Sequence, residues 1–430
     1  MKKIILGLTA LLLSSSLFAG GTVQDEITLT ADGTGDFVVG QAYFANQDSW
    51  YTNIRVLNTN ISATSIVKIS FADGAESGDL LDFALYLTPG DVWEGILYYN
   101  PNEVNTETNC GGVMLFSADD SMVFASGTAK DIPQTICLGA GLRSQGATLN
   151  DKMGYIEVIG MAEISGTRTI NGVQTDFSKA PVDKMSVYNA YYSYTQATEV
   201  QRETAMKSDG WTSTGNDSVG LFVDLINIDD QLSVSYRGVA FENFMGGRVV
   251  SNAVIAKDIV FNDYSDKSQT TLINELESAI QFNMVDFPYY SNVNGVNETV
   301  VIFTSITKRE RYVDGTITDI WSEKSGITPG KSSDYCNQFV WRSRDMEENY
   351  LEAMSPVQEF SGGPAYLAEV FTTCTEMTYI NINDKVDYLN GMFSIMMFNN
   401  NRTIPAIPLI LTVKEVQGVN VTDKVLPLYR

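Results

Sequence analysis

Along most of the chain, apolar and polar residues alternate one by one. Ile54 and Val56 alternate with Asn53 and Arg55; Val67, Ile69 and Phe71 with Lys68 and Ser70; and Phe83, Leu85 and Leu87 with Asp82 and Ala84. A period of two sends successive side chains to opposite faces of a strand. Each run therefore predicts a β-strand with its apolar set on a core and its polar set in water. Asn58-Thr59-Asn60, Asp73-Gly74 and Pro89-Gly90-Asp91 separate the runs as turns. Short strands at this spacing predict an antiparallel sandwich.

The pattern recurs downstream. Val113–Phe116 and Met122–Ala125 flank Ala118-Asp119-Asp120 and read as a hairpin. Tyr155–Ile159 alternates, and Val219–Ile228 and Leu232–Phe241 flank Asp229-Asp230-Gln231. Val300–Val313 and Thr316–Ile320 flank Asp314-Gly315, a dipeptide suited to a type I′ turn, and read as a long hairpin. Met392–Phe398, Leu409–Val416 and a closing Val425–Arg430 complete the strands, with Asn399–Asn401 as a loop.

Helical periodicity is rarer. Leu272, Leu276, Ala279 and Ile280 share one face, with Glu275 and Glu277 on the polar side, and predict a helix near 271–282 capped by Thr270 or Thr271. Gln196–Lys207 reads as a short exposed helix. The fold class is thus mainly β, built of antiparallel β-sandwich domains with one or two short helices. Gly139–Asp151 lacks periodicity and sets the boundary between an N-terminal sandwich, 20–145, and C-terminal mainly β structure, 146–430.

The first 19 residues differ from the rest. Met1-Lys2-Lys3, an apolar run from Ile4 to Leu13 and a small residue at Ala19 have the form of a secretory signal peptide. The run is short of the roughly 20 residues a bilayer span needs. The later run Ile404–Val413 is broken by Pro405 and Pro408, so no transmembrane helix is expected after signal cleavage. Export changes the reading of Cys110, Cys137, Cys336 and Cys374. In an oxidising compartment an even count predicts two disulfides, and local closure favours Cys110–Cys137 and Cys336–Cys374 among the three pairings.

The formal charge is −24, or −26 once Lys2 and Lys3 leave with the signal. Such acidity excludes recognition of nucleic-acid phosphates. It fits a solvated extracytoplasmic surface or one that gathers divalent cations. At 44% hydrophobic residues the chain has ample material for a packed core.

The sequence contains no His. That removes Ser-His-Asp and Cys-His catalysis and His-ligated metals. Ser65 and Lys68 have the spacing of a Ser–Lys pair, yet three positions apart on a strand they point to opposite faces. Carboxylate pairs need no His for glycoside hydrolysis, and Asp79, Asp82, Asp91, Glu94, Asp224 and Asp319 are among the candidates. Oxygen-rich loops offer calcium ligands: Asp32 and Asp36; Asp229 and Asp230; Asn383, Asp384 and Asp387. Asx turns explain the same residues without an ion. Aromatic candidates for stacking on sugars are Trp50, Tyr51, Trp93, Tyr98, Tyr99, Tyr191 and Tyr192. Trp93, beside alternating core positions, is expected to be buried.

Val56–Asn60, Leu81–Gly95 and Gly154–Ala162 resemble segments of a group of secreted proteobacterial cell-surface proteins of unassigned function. The resemblance implies export and a β-rich fold and carries no catalytic motif. The sequence therefore predicts an exported envelope or surface protein, extracellular or periplasmic, that acts by interaction rather than catalysis. Its expected partners are further copies of itself or surface glycans. A glycan-binding or adhesin module, with calcium as its one expected cofactor, is the alternative; a carboxylate glycoside hydrolase is the second.

Overall fold

The computed structural model describes residues 25–46, 50–100, 112–123, 134–139, 152–180, 182–229, 232–255, 257, 259–282, 284–290, 297–345, 369–381, 390–398, 407–408 and 410–417. Residues 1–19, read as a signal peptide, Asn399–Asn401, read as a loop, and Val425–Arg430, read as a closing strand, lie outside the described residues.

Sixteen strands form the N-terminal part: β1 (Thr28–Leu29), β2 (Thr34–Gly35), β3 (Phe37–Phe44), β4 (Trp50–Asn58), β5 (Ala63–Asp73), β6 (Asp79–Leu87), β7 (Val92–Tyr99), β8 (Val113–Ser117), β9 (Met122–Val123), β10 (Gln134–Cys137), β11 (Met153–Ser165), β12 (Thr167–Ile170), β13 (Val173–Asp176), β14 (Val219–Asn227), β15 (Leu232–Arg237) and β16 (Val239–Glu242). Sheet one has the order β1-β16-β3-β11-β5-β6-β9, and sheet two the order β10-β8-β7-β4-β14-β15, with β2 also on β14. The two pack face to face. Val67, Ile69, Phe71, Phe83, Leu85, Ile156 and Val158 of sheet one meet Ile54, Val56, Trp93, Leu97, Leu115, Leu221 and Val223 of sheet two in one dry core. The alternation read from the sequence supplies these residues, and Trp93 is fully buried among them.

Pairing corrects two expectations. Val113–Ser117 pairs with β7 and β10 in sheet two, whereas Met122–Val123 pairs with β6 in sheet one. Ala118–Asp120 is therefore a crossing between sheets, not a hairpin turn; Ser117 and Asp119 hold it by side-chain bonds to the Glu94 carbonyl and the Ser121 amide. The boundary at 145/146 also fails. β11 lies between β3 and β5 at the middle of sheet one, and β14 joins β4 to β15 in sheet two, so the sandwich needs residues up to 242.

Sheet one is buried on both faces. Over its second face lie α1 (Lys184–Tyr191), α2 (Glu199–Ser208), α3 (Gln269–Ile280) and the irregular chain between them. Phe37, Ile66, Tyr86, Tyr155, Ile159 and Met161 pack there against Val187, Tyr191, Met206, Trp211, Phe261, Tyr264, Leu272 and Leu276. Every position of β5 is consequently buried. Lys68 and Ser70, expected in water, sit instead under this layer. With α4 (Lys308–Asp314) there are four α-helices among the described residues, more than the one or two expected. Ser268, not Thr270 or Thr271, caps α3.

Gly154 marks a close approach at the centre of sheet one. A Cβ there would lie 1.9 Å from the Ala72 carbonyl oxygen and 2.8 Å from the Tyr43 ring, where β11 shifts register against β3. The obstacle is paired backbone and cannot rotate away. Gly154→Ala is expected to cost about 3 kcal/mol, the upper end of overpacking effects, in urea unfolding; a change within about 0.5 kcal/mol would show that the strands can separate there.

The C-terminal strands are β17 (Gln281–Phe282), β18 (Met284–Tyr290), β19 (Asn297–Thr304), β20 (Ser322–Glu323), β21 (Tyr335–Asp345), β22 (Glu369–Thr373), β23 (Met377–Asn381), β24 (Asn390–Phe398), β25 (Ile407–Pro408) and β26 (Ile410–Gln417). β18-β24-β21-β20, with β22 on β21, faces the trio β23-β19-β26. Phe287, Tyr289, Val301, Phe303, Trp321, Trp341 and Phe393 fill the space between them. The predicted Val300–Ile320 hairpin is not formed. β19 ends at Thr304, α4 follows, and Gly315 is its left-handed C-cap at φ 74°. A type I′ turn and a helix C-cap both need positive φ, so Asp314-Gly315 served either. Lys308-Arg309-Glu310-Arg311 are helix formers and decide for the helix.

The described parts are stapled and joined. Cys336 and Cys374 form a disulfide. Cys137 is disulfide-bonded too, while Cys110 lies outside the described residues. The C-terminal sheets dock on the β5–β6 turn: Glu376 and Met377 donate their amides to the Ala75 and Gly74 carbonyls. Thr304 Oγ1 donates to the Gln41 carbonyl at 2.7 Å.

Candidate functional site

Two regions concentrate polar chemistry: the outward face of sheet two and the seam between the sandwich and the C-terminal sheets. On sheet two, alternation turns Tyr51, Asn53, Arg55 and Leu57 of β4 outward, with Phe222, Asp224 and Ile226 of β14 and Val92, Glu94, Ile96 and Tyr98 of β7. Register sets them in rows. Asp224 lies opposite Asn53, Asn53 opposite Ile96, and Ile96 opposite Phe116; Phe222 lies opposite Arg55, and Arg55 opposite Glu94. Ile226 faces Tyr51, and Tyr98 faces Met114.

Charges on this face are paired laterally. Arg55 bonds Asp224 at 2.7 Å, and Asn53 donates to Glu94 at 2.9 Å. The Arg55 and Arg237 guanidinium groups lie over the Phe222 ring at 6.0 and 5.1 Å. The face is thus half-exposed and aromatic, with planar polar groups held between the rings. At ~4.8 Å per strand, six strands span roughly 24 Å.

The seam centres on α4, which opens with four consecutive charged residues, three of them buried. Lys308, Glu310 and Arg311 are buried. Lys308 Nζ donates to the Cys374 carbonyl at 2.6 Å and lies 4.8 Å from the Trp321 ring. Gln269 donates to Glu310. Arg311 forms a bidentate pair with Glu277, which also accepts from Thr307 Oγ1 at 2.8 Å. Glu277, expected on the polar side of its helix, is therefore buried. Glu157 of β11 lies within electrostatic reach of Arg309 and Glu310, and of Lys68 on β5. Lys68 pairs with Asp82, donates to the Lys257 carbonyl at 2.5 Å and lies 5.8 Å from the Tyr264 ring.

Burial governs the acids of the seam. It pushes Glu157 up to about 8, with Glu310 adding to the rise and Arg309 opposing it. It raises Glu310 to about 7 against the pull of Arg309, and Glu376 to about 8 against that of Lys308. Asp82 rises to about 7 through burial and then Asp79, with Lys68 opposing.

The sequence candidates are placed as follows. Ser70 Oγ donates to Asp79, Asp91 pairs with Lys184, and Asp319 lies 3.8 Å from Arg311, so the six hydrolase candidates are each tied to a neighbouring side chain. Ser65 bonds Asn58 and Glu163 on one face while Lys68 reaches Asp82 on the other. A second Ser–Lys contact, Lys184 Nζ to Ser121 Oγ at 2.7 Å, is no nucleophile pair. Ser121 is fully buried, Lys184 is paired with the Asp91 carboxylate, and burial pushes the Lys184 ammonium down to about 8.

Asp32 closes an Asx turn onto Thr34, whereas buried Asp36 accepts from the Phe244 and Met245 amides; burial pushes Asp36 to about 7. The two do not share a ligand set. Asp229 is exposed; Asp230, Asn383, Asp384 and Asp387 lie outside the described residues. No group of three acidic or Cys side chains suited to a metal ion occurs among the described residues.

Of the aromatic candidates, Tyr51 and Tyr98 reach the outward face, while Trp93 and Tyr191 are buried and Trp50 packs on Phe44. Phe116 and Phe222, unremarked in the sequence, join the face through register. No described helix is long and apolar enough to cross a membrane. Comparison with models of protein families, with curated proteins and with solved structures finds no match.

Proposed function

We propose that this is an exported protein of the cell envelope or surface that works by binding, and that the outward face of sheet two holds a surface glycan. One observation carries the reading: Tyr51, Phe116 and Phe222 stand half-exposed on one six-strand face, interleaved with Asn53, Arg55, Glu94 and Asp224. Rings present apolar faces to sugar C–H groups while planar amides, carboxylates and guanidinium groups serve the hydroxyls. Of the acids offered for the hydrolase reading, Asp79 and Asp82 lie together, and burial with Asp79 raises Asp82 to about 7; Asp82 is also paired with Lys68, and Asp79 accepts from Ser70. Export rests on the leader-like sequence and the disulfides, which suit an oxidising compartment.

The test is binding to an array of bacterial surface polysaccharides. Tyr51→Ala with Phe222→Ala should weaken binding about 30-fold, two ring contacts at about 1 kcal/mol each, with circular dichroism unchanged. Failure of the unaltered protein to bind any polysaccharide, or equal affinity of the variant, would refute the reading.

A further inference from the structure

We propose that the seam is a proton-operated clasp: Glu157, Glu310 and Glu376 hold α4 between the sandwich and the C-terminal sheets as neutral acids, and the seam loosens when they ionise. The geometry brings the three to one helix from three directions. Glu157 rises from β11, Glu310 is on α4 itself, and Glu376 precedes β23; they are 6%, 4% and 1% exposed. Glu157 is faced by Glu310 and Arg309 from α4, Asp79 from β6 and Lys68 from β5. Glu310 is faced by Arg309, Asp314 and Gln269, and its carboxyl also meets the Phe261 backbone. Glu376 is faced by Lys308 and Arg309, by Ser332 and by Asp73, and its Oε1 accepts from Ser332 Oγ at 2.6 Å. Tyr155, bonded to Ser77, lies within electrostatic reach of Glu157, Glu376 and Arg309.

The cations do not match the acids once all are charged. Lys68 already answers Asp82, and Arg311 answers Glu277. Arg309 is within reach of all three glutamates and Lys308 within reach of Glu376, and burial pushes Lys308 down to about 8, so its charge fades as the acids ionise. The sign follows from linkage. The folded-state values of these acids lie above the ordinary carboxylate value, at about 7 to 8. Their contribution is complete below the unfolded value and is lost as pH rises through 7 to 8. Lys308 acts in the opposite sense above about 8, which confines the informative window to pH 5–8.

Asp36 and Asp82 titrate in the same window and would move global stability, so the readout must be local and the variant must isolate the three glutamates. The experiment is amide hydrogen exchange of the full chain between pH 5 and 8, corrected for intrinsic rates, in unaltered protein and in E157Q/E310Q/E376Q. The amides of α4 in the unaltered protein should lose at least about 10-fold in protection, the effect of one shifted pK unit, while those of β14 hold steady. E157Q/E310Q/E376Q, with all three fixed in the neutral form, should fold and keep α4 protected throughout. Constant protection in the unaltered protein, the same loss in the variant, or a variant that does not fold would each overturn the clasp. None of these outcomes bears on glycan binding.

Discussion

Arg311→Met is expected to destabilise the protein by about 3–5 kcal/mol, the cost of leaving one member of a buried ion pair without the other. Arg311 Nε meets Glu277 Oε1 at 2.6 Å, its Nη2 meets Oε2, and both side chains are under 10% exposed. Asn274 and Thr316 accept further guanidinium bonds at 3.2 Å. Methionine fills the volume but leaves a carboxylate against α4 with Thr307 as its remaining donor. Arg311→Met with Glu277→Gln removes the orphaned charge and should recover at least half of the loss. Urea unfolding followed by tryptophan fluorescence reads both. A single variant within about 1 kcal/mol of the unaltered protein would show that water reaches the pair.

Replacing the Cys336–Cys374 disulfide by Ser at both positions should cost about 4 kcal/mol, from the entropy of a closed loop whose ends are 38 residues apart. The expected effect is regional. Cys374 precedes the segment that carries Glu376 to the β5–β6 turn, and its carbonyl accepts from Lys308. Loss of the bridge should therefore release the C-terminal sheets and α4 at lower denaturant, while the sandwich core around Trp93 unfolds later. Two transitions, with Trp321 and Trp341 reporting the first and Trp93 the second, are the expected result. A single unshifted transition would mean that the bridge joins segments already fixed by packing.

Much of the sandwich was legible because a sheet with one wet face writes its pattern locally. β4 and β14 alternate as read, and their polar positions do face outward. Sheet one was legible on its inner face alone. Its second face is covered by residues 182–280, more than a hundred positions beyond β5, and no local pattern at Lys68 or Ser70 records a cover that distant. The same remoteness hid the centrality of β11, whose partners precede it by 80 residues or more. Ala118–Asp120 has the composition of a turn and is one; which sheet receives the next strand depends on packing.

The site was partly visible. Tyr51 and Tyr98 stood out as aromatic, but Phe116 and Phe222 become their neighbours through strand order, which one sequence does not supply. At the seam the run Lys308–Arg311 looks like a solvated surface. Its surroundings depend on acid side chains brought from β11, α3 and the Cys374 loop, a grouping that exists in three dimensions alone.

Side-chain footprinting with hydroxyl radicals tests most directly whether sheet two carries the function. The protein would be labelled alone and bound to envelope polysaccharide from its native cells. The account predicts that Tyr51, Phe116 and Phe222 lose reactivity on binding while Tyr312 and Tyr335 near the seam keep theirs. Undiminished labelling of the three rings in a saturated complex, or protection confined to the C-terminal sheets, would contradict it.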